Sequence, residues 1–218
     1  MLSGLKFKHP WILLEFIILC LAVPGYIIAT KAAAYMFVFL WAAALYSLVI
    51  LLKFYKMRLQ DIWRWNQVTW VHLRPILMRF LICTIGMLAI CFWLLPDRFL
   101  MLPREHPEFV LILCCLYPLI SALPQELVFC SFFFKRYGVF FGNSLRMVIA
   151  SAIIFAYAHV LYINWVAPSL GIIAGLIFAD TFRKHRSLAL VTIEHGLYGN
   201  ALFVIGLGWY FYSGAVAG

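Results

Sequence analysis

The sequence predicts an all-α, polytopic transmembrane helix bundle of seven spans. Three observations predict it: an excess of apolar residues, their grouping into long runs, and the placement of charge between the runs. Of 218 residues, 66% are hydrophobic, and 17 Lys and Arg with 8 Asp and Glu carry all the charge. The mean hydropathy is +1.00. A soluble domain is roughly 45–50% apolar and about 25% charged, and a globule of this size cannot hide so much apolar surface from water. A disordered chain, a disulfide scaffold and a soluble nucleic-acid binder are therefore excluded. The net charge of +9 belongs to residues flanking the runs, where they orient helices and attract anionic lipid. Membrane lipids, and no nucleic acid, are the partners this charge implies.

A helix crosses the ~30 Å hydrocarbon core with about 20 apolar residues. On that measure the spans run over 11–29, 32–52, 76–95, 108–134, 145–161, 168–179 and 188–205. The first follows Lys6 and Lys8, as a secretory signal would. Its apolar stretch exceeds the 7–15 residues of a signal core, so a retained helix is expected. Residues 53–74 mix basic side chains with Trp63, Trp65 and Trp70, which suits a segment lying at headgroup depth. The fourth span contains Pro124, expected to loosen its backbone, and Gly196 and Gly199 are expected to do the same in the seventh. The sixth has small residues at Gly171, Gly175 and Ala179, a stripe that lets helices approach closely. The tail from Gly206 is expected to prolong the last helix or lie at the interface. The six cysteines show no CxxC spacing and read as small buried hydrophobes. The whole chain reads as one integral-membrane domain.

With this layout, 14 Lys and Arg fall on one side and only Lys31, Arg98 and Arg104 on the other. Basic residues mark the cytoplasmic side, so the N-terminus is expected inside and the C-terminus outside.

Ionisable groups inside the hydrocarbon layer are costly and point to function. Glu15 is expected to be solvated at the interface, and Asp180 to pair with Arg183 and Lys184. Glu126, His159, Glu194 and His195 remain. At ~1.5 Å of rise per residue, Glu126 and His195 lie about 13 Å from the basic end and His159 about 20 Å. A carboxylate and two histidines on three spans thus fall near one depth, an arrangement suited to hydrolysis. Glu126 with His159 is expected to hold and deprotonate a water, and His195 with the Asn200 amide to stabilise the oxyanion. The same residues suit a zinc ion, although the helical H-E-x-x-H pattern is absent; no cofactor is the expectation.

The stretches PQELVFCSFFFKRYG (Pro124–138), FAYAH (155–159) and EHGLYGN (194–200) resemble the three motifs of the CPBP family. That family, also called ABI, contains CAAX prenyl endopeptidases and bacteriocin-processing or immunity proteins. Its pattern is EExxxR, then FxxxH, then HxxxN or HxxxD. The resemblance implies a glutamic-type intramembrane protease acting on a membrane-associated or lipidated protein. Phe155 and His159 match fully, Glu126 matches the second glutamate, and His195 opens the third motif. Gln125 stands where the resemblance would place the water-activating glutamate, and Cys130 where it would place the arginine. Asn200 comes five residues after His195 instead of four. Two readings follow: an intramembrane endopeptidase of a bacterial inner membrane, or a non-catalytic immunity or scaffold protein. A transporter is disfavoured by the lack of an internal repeat.

Overall fold

The structure, a computed structural model, describes residues 10–211. Lys6 and Lys8, on which part of the orientation argument rests, and the tail beyond residue 211 lie outside them. The described residues are mostly helical and hold no strands. Among the described residues seven helices are long and apolar enough to span a bilayer: α1 (Pro10–Ala29), α2 (Ala32–Phe54), α3 (Trp70–Leu94), α4 (Pro107–Arg136), α5 (Leu145–Tyr162), α6 (Val166–His185) and α7 (Leu188–Ile205). The protein is a multi-pass membrane protein. Large apolar side chains such as Ile82, Leu111 and Ile173 point outward, where lipid replaces water as the solvent and no cost attaches to them.

Helix α7 forms the centre: 61% of its apolar window is buried, against 39% for α5 and α6 and at most 22% for the others. Helices α5 and α6 pack through the small-residue stripe. A Cβ on Gly175 would stand 2.8 Å from the Ala152 Cα, and one on Gly171 3.3 Å from the Ala156 Cα. Only glycine admits this approach.

Two spans are longer than their apolar runs. Helix α6 continues to His185 because Asp180 accepts from Arg183 at 2.6 Å and pairs with Lys184 at 2.5 Å, an i+3 and i+4 clamp that supports a charged last turn. Helix α3 begins at Trp70, six residues before the expected start, so Arg74 as well as Arg79 lies within it. Arg79 is not a flanking cation: it reaches the buried carboxylate of Glu194 on α7. Glu15 differs too. Far from being solvated, it accepts from Arg136 Nε at 2.8 Å and from the Tyr46 hydroxyl at 2.7 Å, tying α1 to α2 and α4.

Between α2 and α3 the chain forms a short helix, Leu59–Trp63, and a single 3-10 turn, Trp65–Gln67, with the Trp63 and Trp65 rings stacked 6.3 Å apart. After α7 the tail forms a 3-10 turn over Leu207–Phe211. Arg98 lies over the Trp209 ring at 3.9 Å at the end opposite to Lys135 and Arg186.

Helix α4 is continuous but widened. Two π-helical stretches, Pro118–Ala122 and Leu127–Phe132, flank a four-residue α turn, Leu123–Glu126. Each proline lacks the N–H that would bond the carbonyl four residues back. The Cys114 carbonyl, freed by Pro118, accepts from Asn200 Nδ2 at 3.3 Å, and the Ile120 carbonyl, freed by Pro124, accepts from Trp41 Nε1 at 3.1 Å. A freed carbonyl in hydrocarbon is tolerated only when a neighbour satisfies it, and α7 and α2 supply those neighbours.

Candidate active site

The α turn at Leu123–Glu126 presents Gln125 and Glu126 in different directions. Glu126 points to α7. It is 1% exposed, and its Oε1 lies 2.7 Å from His195 Nδ1. A carboxylate oxygen accepts, so Nδ1 carries the proton. The bare Nε2 of His195 then accepts from the Tyr117 hydroxyl at 3.1 Å. Tyr117, His195 and Glu126 thus form one chain of donors running toward the carboxylate. Glu126 Oε2 is buried without a polar partner among the described residues. The Phe178 ring stacks on the His195 imidazole at 4.5 Å.

Gln125 points the other way, into a cavity of about 140 Å³ between α1, α2, α4 and α5. Its Nε2 donates to Ser121 Oγ at 2.9 Å. His159, which caps the C-terminal end of the α-helical part of α5, lines the same cavity together with Ser121 and Tyr162. Its Nδ1 lies 2.7 Å from the Phe155 carbonyl. A carbonyl only accepts, so Nδ1 carries the proton and the Nε2 lone pair is free.

Phe155 stands between the two histidines, its ring 4.5 Å from that of His159 and 5.8 Å from that of His195. The sequence pairs Glu126 with His159; the structure instead joins Glu126 to His195 and sets Gln125 beside His159's cavity. Glu126 and Tyr117 engage both nitrogens of His195. Among the described residues no group of three His, Cys, Asp or Glu is placed to hold a metal.

Asn200 is not directed to this cavity. Five residues after His195 is roughly 140° around the helix, and its amide is taken by the Cys114 carbonyl while its Oδ1 is buried without a partner. Gly196 and Gly199 do not loosen α7, which stays helical from Leu188 to Ile205. They make room: a Cβ on Gly196 would meet Pro118 at 3.0 Å, and one on Gly199 would overlap the Tyr117 ring. Cys130, buried one turn beyond Glu126, fills the place of the motif arginine.

Tyr117, Ser121 and Arg79 escape a reading by motif. Ser121 was accessible through helical spacing, four residues before Gln125; Tyr117 was not, because the π-helical stretch Pro118–Ala122 shifts the register between them. Arg79 carried a signal as the cation nearest a span interior that also held an unassigned carboxylate, Glu194. Arg79 also donates to Thr181 Oγ1 at 3.0 Å.

Residues 107–211 match the family model described as Type II CAAX prenyl endopeptidase Rce1-like. This segment is Rce1-like. No curated protein and no solved structure matches the chain. The Rce1-like segment opens on the first residue of α4 and closes on the 3-10 turn after α7, so it contains Gln125, Glu126, Cys130, Phe155, His159, His195 and Asn200. The family is that of the CAAX-type endopeptidases, the class to which the three motifs point. Helices α1 to α3 lie outside the Rce1-like segment and add to the site Arg79 and one wall of the cavity.

Proposed function

We propose that this protein is an intramembrane endopeptidase that hydrolyses a peptide bond of a membrane-associated or lipidated protein, in a bacterial inner membrane with its N-terminus cytoplasmic. The observation that carries the reading is the Glu126–His195 pair, buried at 2.7 Å one residue on from a glutamine whose cavity also holds a histidine with a free lone pair. A carboxylate and two histidines are costly in a bundle of this kind, and hydrolysis uses them.

In this reading a water in the cavity gives one proton to His159 Nε2 while its oxygen bonds to the scissile carbonyl carbon. The carbonyl π pair moves onto oxygen, where the second N–H of the Gln125 amide donates to it. Collapse of the tetrahedral species breaks the C–N bond, and the His159 imidazolium returns its proton to the leaving amine. Glu126 supplies the negative charge that favours this imidazolium and fixes the orientation of His195. Asn200 holds the widened backbone of α4 in place. No metal enters any step.

A second reading is favoured by one observation: the residue of the motif pair that lines the cavity is Gln125, which cannot act as a base, and not Glu126. On that reading the protein is a non-catalytic member that binds a membrane partner, as an immunity or scaffold protein does. One experiment separates the two. Membranes containing the wild type, Glu126→Gln or His159→Ala are compared by mass-spectrometric mapping of peptide termini. New termini with the wild type that vanish in both variants support the protease and name its substrate. Identical termini in all three, with the protein folded and abundant, support the non-catalytic reading.

A further inference from the structure

A second pocket lies at the basic end of the bundle, on the far side of Cys130 from Glu126. It holds about 440 Å³ and is lined by Arg64, Lys135 and Arg186, by the apolar side chains of Ile62, Phe134 and Phe182, and by Asp61, Ser131 and Asn143. Of the other cations at this end, Arg58 holds Asp61, Arg136 holds Glu15, and Arg183 and Lys184 share Asp180, while Lys53, Lys56, Arg74 and Arg146 line no part of this pocket. Arg64, Lys135 and Arg186 form no ion pair among the described residues. Asp61, the one carboxylate in the wall, is occupied by Arg58 through two contacts, at 2.8 and 2.9 Å. Three cations gathered without a counter-ion repel one another, and an anion relieves that repulsion.

One further observation points to a ligand. Ser131 is 6% exposed, and its Oγ is buried without a polar partner among the described residues. A buried hydroxyl left unpaired is rare and costly. Arg64 and Arg186 each end a helix in the left-handed region, with φ of 47° and 52°, a common way to close a helix. The Ser187 hydroxyl reaches the carbonyls of Trp63 and Arg64 at 3.2 and 3.0 Å, tying these two turns together. Arg186 Nη2 donates to Asn143 Oδ1 at 2.9 Å, which orients the guanidinium without neutralising it. Burial and the neighbouring charge of Arg183 lower the pKa of Arg186, as expected for a cation short of anions.

We propose that this pocket binds the phosphate group of an anionic membrane phospholipid. A phosphodiester presents two charged oxygens and two weaker ester acceptors in a tetrahedral array, and arginine forks match phosphate geometry. The stacked Trp63 and Trp65 beside the pocket belong at headgroup depth, and its apolar wall suits the glycerol and first methylenes. The site stands whether or not the protein cleaves peptides.

The full-length protein would be released from phosphatidylcholine nanodiscs with and without phosphatidylglycerol and weighed by native mass spectrometry. The wild type should retain phosphatidylglycerol in preference to phosphatidylcholine. Arg186→Gln combined with Lys135→Gln should weaken that retention about tenfold or more, from lost charged hydrogen bonds. Ser131→Ala, which changes no charge, should weaken it several-fold. Should the arginine variant fail to fold, Lys135→Gln and Ser131→Ala each carry the test alone. Equal retention of both lipids, or equal retention by the variants, overturns the proposal. So does displacement of the lipid by low concentrations of inorganic phosphate, or by a peptide with a free C-terminal carboxylate but not by its amide.

Discussion

His195 Nδ1 lies 2.7 Å from Glu126 Oε1, and this bond fixes the proton on Nδ1 and leaves Nε2 to accept from Tyr117. The carboxylate is thus the terminus of the donor chain. Glu126→Gln keeps an oxygen that can accept from Nδ1 but removes the charge. The expected outcome is a folded protein with near-normal thermal stability and cleavage reduced about 100-fold or more, the scale of a lost electrostatic contribution. Turnover within a few-fold of wild type, measured on the peptide identified by terminus mapping, would remove Glu126 from the mechanism.

Asn200 and Pro118 are coupled through the Cys114 carbonyl. Asn200→Ala strands that carbonyl in the bundle and should cost about 1–3 kcal/mol, read as a lowered melting temperature in detergent. In a Pro118→Ala background the backbone regains an N–H at this position that can bond the carbonyl directly, so the cost of Asn200→Ala should shrink. No stability cost in either background, with cleavage lost, would instead place Asn200 at the oxyanion.

Much of this fold was legible because its driving force is one-dimensional. Run length against bilayer thickness finds all seven spans, and α7 is expected and observed over Leu188–Ile205. The misses occur where a charged residue continues a helix because it has a partner elsewhere. Arg79 looks like a flank until Glu194 is beside it; the pairing of Asp180 with Arg183 and Lys184 was expected and is found, and only the continuation of α6 through that turn to His185 was missed. The site was legible by residue and not by direction. The widened turns on either side of Leu123–Glu126 set which way Gln125 and Glu126 face, and no motif encodes that. Gly199 shows the same limit, since its missing Cβ serves the Tyr117 ring and not a break in α7.

Gly199→Ala should therefore act on the site through Tyr117. The added methyl occupies the space of a buried ring, and overpacking of this kind costs about 1–3 kcal/mol. Cleavage and melting temperature should fall together, and both should fall further than in Tyr117→Phe, which loses only the hydroxyl bond to His195. If Gly199→Ala leaves both unchanged, the ring has another place to go and the contact does not constrain His195.

Zinc provides a separate test of the site. Since Glu126 and Tyr117 already engage both nitrogens of His195, strong chelators should leave cleavage unchanged, and adding zinc should not raise it. Activity that is lost on chelation and restored by zinc alone would require the two histidines to converge in a rearranged state.

Arg79 and Glu194 should behave as a unit. Glu194 is fully buried and its Oε2 has no partner among the described residues, so Arg79 is the only cation that offsets its charge there. Removing one member of a buried pair leaves an uncompensated charge and typically costs 3–5 kcal/mol. Arg79→Met alone should therefore destabilise the protein by about that amount and disturb His195, the next residue on α7. Arg79→Met combined with Glu194→Gln removes both charges, and most of the loss should be recovered, because a neutral amide in the bundle requires no counter-ion. A double variant as unstable as Arg79→Met alone, judged by thermal unfolding, would mean that Arg79 contributes through packing between α3 and α7 and not through charge.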